Sequence, residues 1–124
     1  MNYSRPKNLN LLTIRFPLPA IASICHRLSG VALFLLIPFL LWALDFSLTL
    51  SGFETIQSWI INSGFMKLII WLIFIPFCFH LVAGIRHLLM DIHIGSSLKG
   101  GKRGAALTFI FTLILILLAG IWLW

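Results

Sequence analysis

Three stretches of the chain, residues 28–44, 68–85 and 104–124, contain no Asp, Glu, Lys or Arg. A helix needs about 20 apolar residues to cross ~30 Å of hydrocarbon at ~1.5 Å per residue, and each stretch approaches that length. With 60% hydrophobic and 10% charged residues, the chain cannot coat a core with polar surface. Its solvent must be lipid. The sequence therefore predicts an all-α membrane protein with three transmembrane helices at about 20–45, 65–90 and 104–124, forming a single anchor domain over residues 1–124.

The first apolar run does not read as a cleaved signal peptide, because its basic leader is long, no small-residue cleavage site follows it, and two further spans come after. Nor does the leader carry the Arg and Ser richness of an organelle transit sequence. A bacterial inner membrane is the expected location. Cys25 and Cys78 show neither metal-ligand spacing nor a haem-attachment motif, and are read as small buried apolar residues.

Arg5, Lys7, Arg15 and Arg27 precede or open the first span, and Arg86, Lys99, Lys102 and Arg103 lie between the second and third. The connection between spans one and two offers only Asp45, Glu54 and Lys67. Positive charge stays inside, so the N-terminus is expected in the cytoplasm and the C-terminus in the periplasm. The net charge of +6 is thus a topology signal, and no nucleic-acid partner is expected. Trp59, Trp71, Trp122 and Trp124 would sit at the outer interface with their indole N–H groups wet.

Pro17 and Pro19 suit a helix entry, so the first helix should begin near Pro19 and run about 39 Å to Leu44, leaving a cytoplasmic collar below the hydrocarbon. Pro38 and Pro76 fall inside spans, where they are expected to kink the helices. The stretch SSLKGGKRG, residues 96–104, reads as a flexible basic turn able to hold lipid headgroups or an acidic partner surface.

Two clusters carry chemical potential. In SICHRLSG, residues 23–30, Ser23 and Arg27 lie one turn apart on one helical face, with His26 beside them and Gly30 a turn deeper. An isolated arginine there would snorkel to phosphates. Paired with a hydroxyl, it becomes a donor set for a ligand carbonyl that gains negative charge, and at this depth the natural ligand is a lipid-soluble quinone. In HLVAGIRHLLMD, residues 80–91, His80 precedes Arg86 by six residues, which puts it ~9 Å into the hydrocarbon if Arg86 marks the interface. An ionisable group at that depth is a functional hypothesis, beside the plainer reading of a histidine bonded to a neighbouring helix. Gly84 and His87 share its face, leaving a notch where a macrocycle could lie.

His80 and His87, ~10.5 Å apart along one helix, cannot ligate opposite sides of one haem iron. One workable division makes His80 an axial ligand and puts His87, Arg86 or the His26 and Arg27 pair near the propionates. His26 looks too shallow to be the opposite ligand, so a partner subunit is implied. Asp91 and His93 lie past the span, the first balancing nearby basic residues and the second solvated.

Taken together, RPKNLNLLTIRFP at residues 5–17, AIASICHRLSG at 20–30, HLVAGIRHLLMD at 80–91 and the following GKR resemble the cytochrome b membrane-anchor subunits of succinate dehydrogenase. The resemblance covers nearly the whole chain. It implies a complex with a flavoprotein subunit, an iron–sulfur subunit and a second small membrane-anchor subunit, passing electrons from succinate to ubiquinone. It also implies Ser23 and Arg27 as quinone-site residues, and His80 as an axial ligand of a b-type haem whose other ligand comes from the partner anchor. His26, Arg27 and His87 would contact the propionates.

This chain would supply the quinone and haem sites, not the succinate chemistry. A proton relay through His80, Arg86 and His87 is disfavoured because the outer halves of the spans carry no ionisable residues. A fumarate reductase anchor shares the expected architecture, and a haem-free structural anchor would leave the histidines merely packed.

Overall fold

The computed structural model describes residues 15–124. The leader residues Arg5 and Lys7, and most of the motif at 5–17, lie outside the described residues. Among the described residues there is no strand; the chain forms helices α1 (Leu18–Ser47), α2 (Leu50–Asn62), α3 (Gly64–Asp91) and α4 (Leu98–Leu123). Three of them, α1, α3 and α4, are long and apolar enough to cross a membrane.

Pro17 caps α1 in an extended conformation and Pro19 occupies its first turn, where a missing N–H is not needed, so the helix starts within a residue of the expected point. It runs three residues past Leu44 before Thr49 reverses the chain. The helical assignments continue unbroken through Pro38 in α1 and Pro76 in α3.

Helix α2 is an addition to the three expected spans. Its 13 residues reach only ~20 Å, too short to cross hydrocarbon. Thr49 caps it, accepting from the Gly52 N–H at 3.1 Å, and the buried Gly52 lies so close to the Phe46 carbonyl that a Cβ there would collide with it. Ser63 alone joins α2 to α3, closing one helix and capping the next through the Met66 N–H at 3.2 Å. Neither cap stands out in a window scanned for apolar spans.

The basic turn expected at 96–104 is also corrected. Ser97 caps α4, accepting from the Gly100 N–H at 3.0 Å, and the helix begins at Leu98, so Gly100, Gly101 and Gly104 are helical despite their poor propensity. The reversal sits earlier. His93, at φ 66°, takes the left-handed position after α3, with the His93 N–H bonding to Met90 O at 3.0 Å and the Ile94 N–H to Leu89 O at 2.9 Å. That is a Schellman ending, in which a left-handed residue lets the chain satisfy the last carbonyls of the helix. Exposed His93, expected to be merely solvated, thus has a backbone role that glycine usually fills.

Helix α3 packs against both α1 and α4, which also touch each other, while α2 contacts α1 and α3. The buried positions are mostly small: Ala22 and Ser29 on α1, Cys78 and Ala83 on α3, Ala105, Thr108 and Thr112 on α4, joined by Phe79 and Arg86. In lipid no hydrophobic force drives helices together, so close backbone approach at small residues supplies the packing energy. The large apolar side chains turn outward instead, as in Phe34, Leu118 and Ile121.

Trp71 departs from the expected wet indole. Its Nε1–H donates to the Ile116 carbonyl of α4 at 2.9 Å, and its ring lies edge-on to Trp124. Gly120 is the reason: it stands one turn beyond Ile116, where a Cβ would come within 3.1 Å of the indole nitrogen. Trp59, Trp122 and Trp124 are exposed, as an interfacial placement requires. Replacing Gly120 by valine is expected to expel the indole and destabilise the α3–α4 pair by about 1–3 kcal/mol, measurable as a lower thermal midpoint in detergent. The same substitution in a Trp71→Phe background should have a smaller effect.

Candidate functional site

The functional side chains gather where α1 passes α3. The half-buried imidazoles of His26 and His80 stack face to face, with ring centroids 4.2 Å apart and planes 19° from parallel. His87 sits one rung along α3, its ring centroid 5.0 Å from that of His26 and tilted by 38°. His26 therefore lies level with the α3 histidines, between His80 and His87, and not in a shallower collar as its position near the start of α1 suggests. The reason is that α1 begins well before this level and its third turn already faces α3.

Gly30 makes this approach possible. A Cβ there would stand 3.0 Å from Cε1 of His80, whereas one on Gly84 would make ordinary contact, at 3.7 Å, with Nε2 of His26. The notch expected beside Gly84 is thus filled by an imidazole from α1 rather than left open for a macrocycle. Any planar ligand at His80 must approach from outside this stack.

The hydrogen bonds fix the state of the His80 ring. Its Nδ1 lies 3.2 Å from the His26 carbonyl oxygen and 3.1 Å from Ser29 Oγ. The Ser29 hydroxyl donates its own proton to the same His26 carbonyl at 2.8 Å. A carbonyl oxygen only accepts, so the contact with the His26 carbonyl belongs to the tautomer that carries its proton on Nδ1, and the Ser29 hydroxyl can accept from the same N–H while donating to that carbonyl. In the neutral ring the lone pair is then on Nε2. Donating one ring N–H to a backbone carbonyl while the other nitrogen stays basic is the usual arrangement of a metal-bound histidine.

Sequence reading does not assign Ser29 a role, although it stands inside the motif at 23–30; its side chain matters only because α3 brings His80 to it. Nε2 of His26 is buried and has no hydrogen-bond partner among the described residues. A buried unsatisfied polar atom calls for a partner from outside the chain. Among the described residues no three His, Cys, Asp or Glu side chains converge to hold a bare metal ion, so the cluster is not a chelating site of that kind.

Ser23 is half-buried and Arg27 exposed. One turn apart on α1, they border the face that carries His26 and Gly30. Arg86 belongs elsewhere. It is buried against α4, with Nη2 donating to the Gly101 carbonyl at 3.4 Å and Nε beside Gly104, on the side of α3 turned away from the histidines. Lying ~120° round the helix from His80, it does not share the face of the candidate propionate contacts His26 and His87.

Three long apolar helices, with a histidine presented from between two of them, have the outline of a multi-pass membrane protein. The chain belongs to the succinate dehydrogenase/fumarate reductase transmembrane subunit family, whose model matches residues 1–119. It is 39% identical over 125 residues to a succinate dehydrogenase cytochrome b556 subunit of Coxiella burnetii, covering all of both chains. Similar proteins of the same name occur in Rickettsia prowazekii, 33% identical with 77% of this chain and 73% of the relative covered, and in Paracoccus denitrificans, 32% identical with 82% and 78% covered.

The tautomer can be read directly. Nitrogen NMR of the chain labelled at its histidine rings, purified without added ligands, is expected to show His80 protonated at Nδ1 and unprotonated at Nε2. Ser29→Ala should weaken that preference without removing it, since the His26 carbonyl remains.

Proposed function

We propose that the chain is the cytochrome b anchor of a succinate:quinone oxidoreductase, binding b-type haem together with a second small membrane-anchor subunit and helping to form the ubiquinone-reduction site. The observation that carries this reading is the His80 ring, held at Nδ1 by its own chain, which leaves Nε2 as the nitrogen able to bind a metal. Haem supplies reversible one-electron storage at that position when bound. His80 would hold the haem iron from this chain, and the partner anchor would supply a further ligand. His26, with its unpartnered Nε2, together with Arg27 and His87, would hold the propionates.

Ser23 and Arg27 would bind the quinone head. Carbonyl oxygens of a quinone gain negative charge on reduction, and a guanidinium and a hydroxyl placed beforehand at the boundary stabilise that charge without reorganising. Water at the same boundary supplies the protons. The basic residues at this end would face the cytoplasm, in a bacterial inner membrane, and would dock the iron–sulfur subunit that receives electrons from the flavoprotein. The names of the similar proteins favour succinate oxidation over the fumarate reductase direction.

The reduced-minus-oxidised optical spectrum of the purified membrane complex tests the haem assignment. Succinate should produce a b-type signal, and His80→Ala should lose it while the chain still inserts; wild-type haem content in the variant would remove His80 from the site. Arg27→Ala is expected to lower quinone reduction by at least tenfold while succinate oxidation by a soluble artificial acceptor survives. Equal loss of both activities would point to failed assembly instead.

A further inference from the structure

On the side of α3 away from the histidines, a groove of about 370 Å³ lies between α3 and α4 at the basic end of the bundle. Arg86 and Arg103 line it at the level of Gly104, and its walls continue along Val82, Leu107 and Phe111. From Arg103 to Phe111 is eight residues of α4, or ~12 Å along the axis. The groove therefore has a cationic end at the loop and an apolar trough running towards the bundle centre.

Arg86 is the unexplained part. It is 8% exposed, its Nε has no hydrogen-bond partner among the described residues, and Nη2 makes one long bond to a carbonyl. The chain has three acidic residues. Asp45 and Glu54 lie at the other end of the bundle, and Asp91 is exposed five residues beyond Arg86, ~140° round the helix. A buried guanidinium is costly unless an anion pairs with it, so the counter-charge must come from outside the chain.

We propose that this groove binds one anionic phospholipid, its phosphate held between Arg86 and Arg103 and an acyl chain lying along Val82, Leu107 and Phe111. Phosphate suits the site because a guanidinium offers it several donors at once. The length of the trough decides between possible anions. A carboxylate side chain from a partner protein would meet the charge and leave the apolar trough unfilled, whereas a phospholipid fills both ends. Gly104 lets the guanidinium lie close against α4, since a Cβ there would stand 3.3 Å from Arg86 Nε.

Native mass spectrometry of the membrane complex purified through this chain, after exchange into mixed micelles with equal phosphatidylglycerol and phosphatidylcholine, tests the site. One phosphatidylglycerol per copy should be retained in preference to phosphatidylcholine. Arg103→Gln, at an exposed position, should weaken retention about fivefold. Leu107→Trp, which fills the trough from a half-exposed position, should abolish it with the complex still assembled. Addition of inorganic phosphate should leave the lipid bound. Equal retention of the two lipids, retention unchanged in Arg103→Gln, or displacement by inorganic phosphate would each overturn the proposal.

Discussion

Close approach of helix backbones at small residues is the condition on which everything else in this chain depends. Ala22, Ala83 and Ala105 are almost completely buried, and Ser29, Thr108 and Thr112 pack with them. Ser29 and Thr108 return their hydroxyl protons to carbonyls of their own helices, to His26 at 2.8 Å and Gly104 at 2.9 Å, so their burial leaves no orphaned donor there. A leucine at any of these contacts would separate the helices by the width of its side chain. The His26–His80 stack and the indole bond to Ile116 depend in the same way on Gly30 and Gly120, where a Cβ would stand 3.0 Å from the His80 ring and 3.1 Å from the Trp71 nitrogen.

Helix α3 is the element that divides the work. Its α1-facing side carries His80 and His87 with Gly84 between them, and its α4-facing side carries Ala83 and Arg86. A helix advancing ~100° per residue places neighbours in sequence on different faces, so one short segment supplies a histidine cluster to one groove and a buried cation to another. The two sides differ in what they lack. On the histidine side the atom without a partner among the described residues is Nε2 of His26; on the arginine side it is Nε of Arg86, a cation that calls for an anion.

The three apolar spans were legible because lipid forbids exposed charge over the length of a crossing, and Pro17 and Pro19 marked the first helix start to within a residue. Helix α2 and the early start of α4 were not, since each depends on one hydroxyl, Thr49 or Ser97, capping a segment whose glycines and polar residues otherwise read as a turn. Among the candidate site residues, Ser23, Arg27, His26, His80 and His87 were visible as polar groups in or beside apolar runs. Ser29 was not, because serine in a helix bonds to its own backbone as a rule and only a neighbouring helix gives it a second task.

What the sequence determined alone is which residues stand at which level and on which face of their own helix, for charge exclusion and helical periodicity are properties of a single segment. What only the tertiary structure decided is which faces meet. That choice seats His26 against His80 and not beyond it, assigns the proton of His80 to Nδ1, turns Trp71 from solvent to the Ile116 carbonyl, and buries Arg86 beside Gly104. Each of these rests on a contact of about 3 to 4 Å between segments far apart in the chain, and such a contact depends on the neighbouring helix as much as on the residue itself.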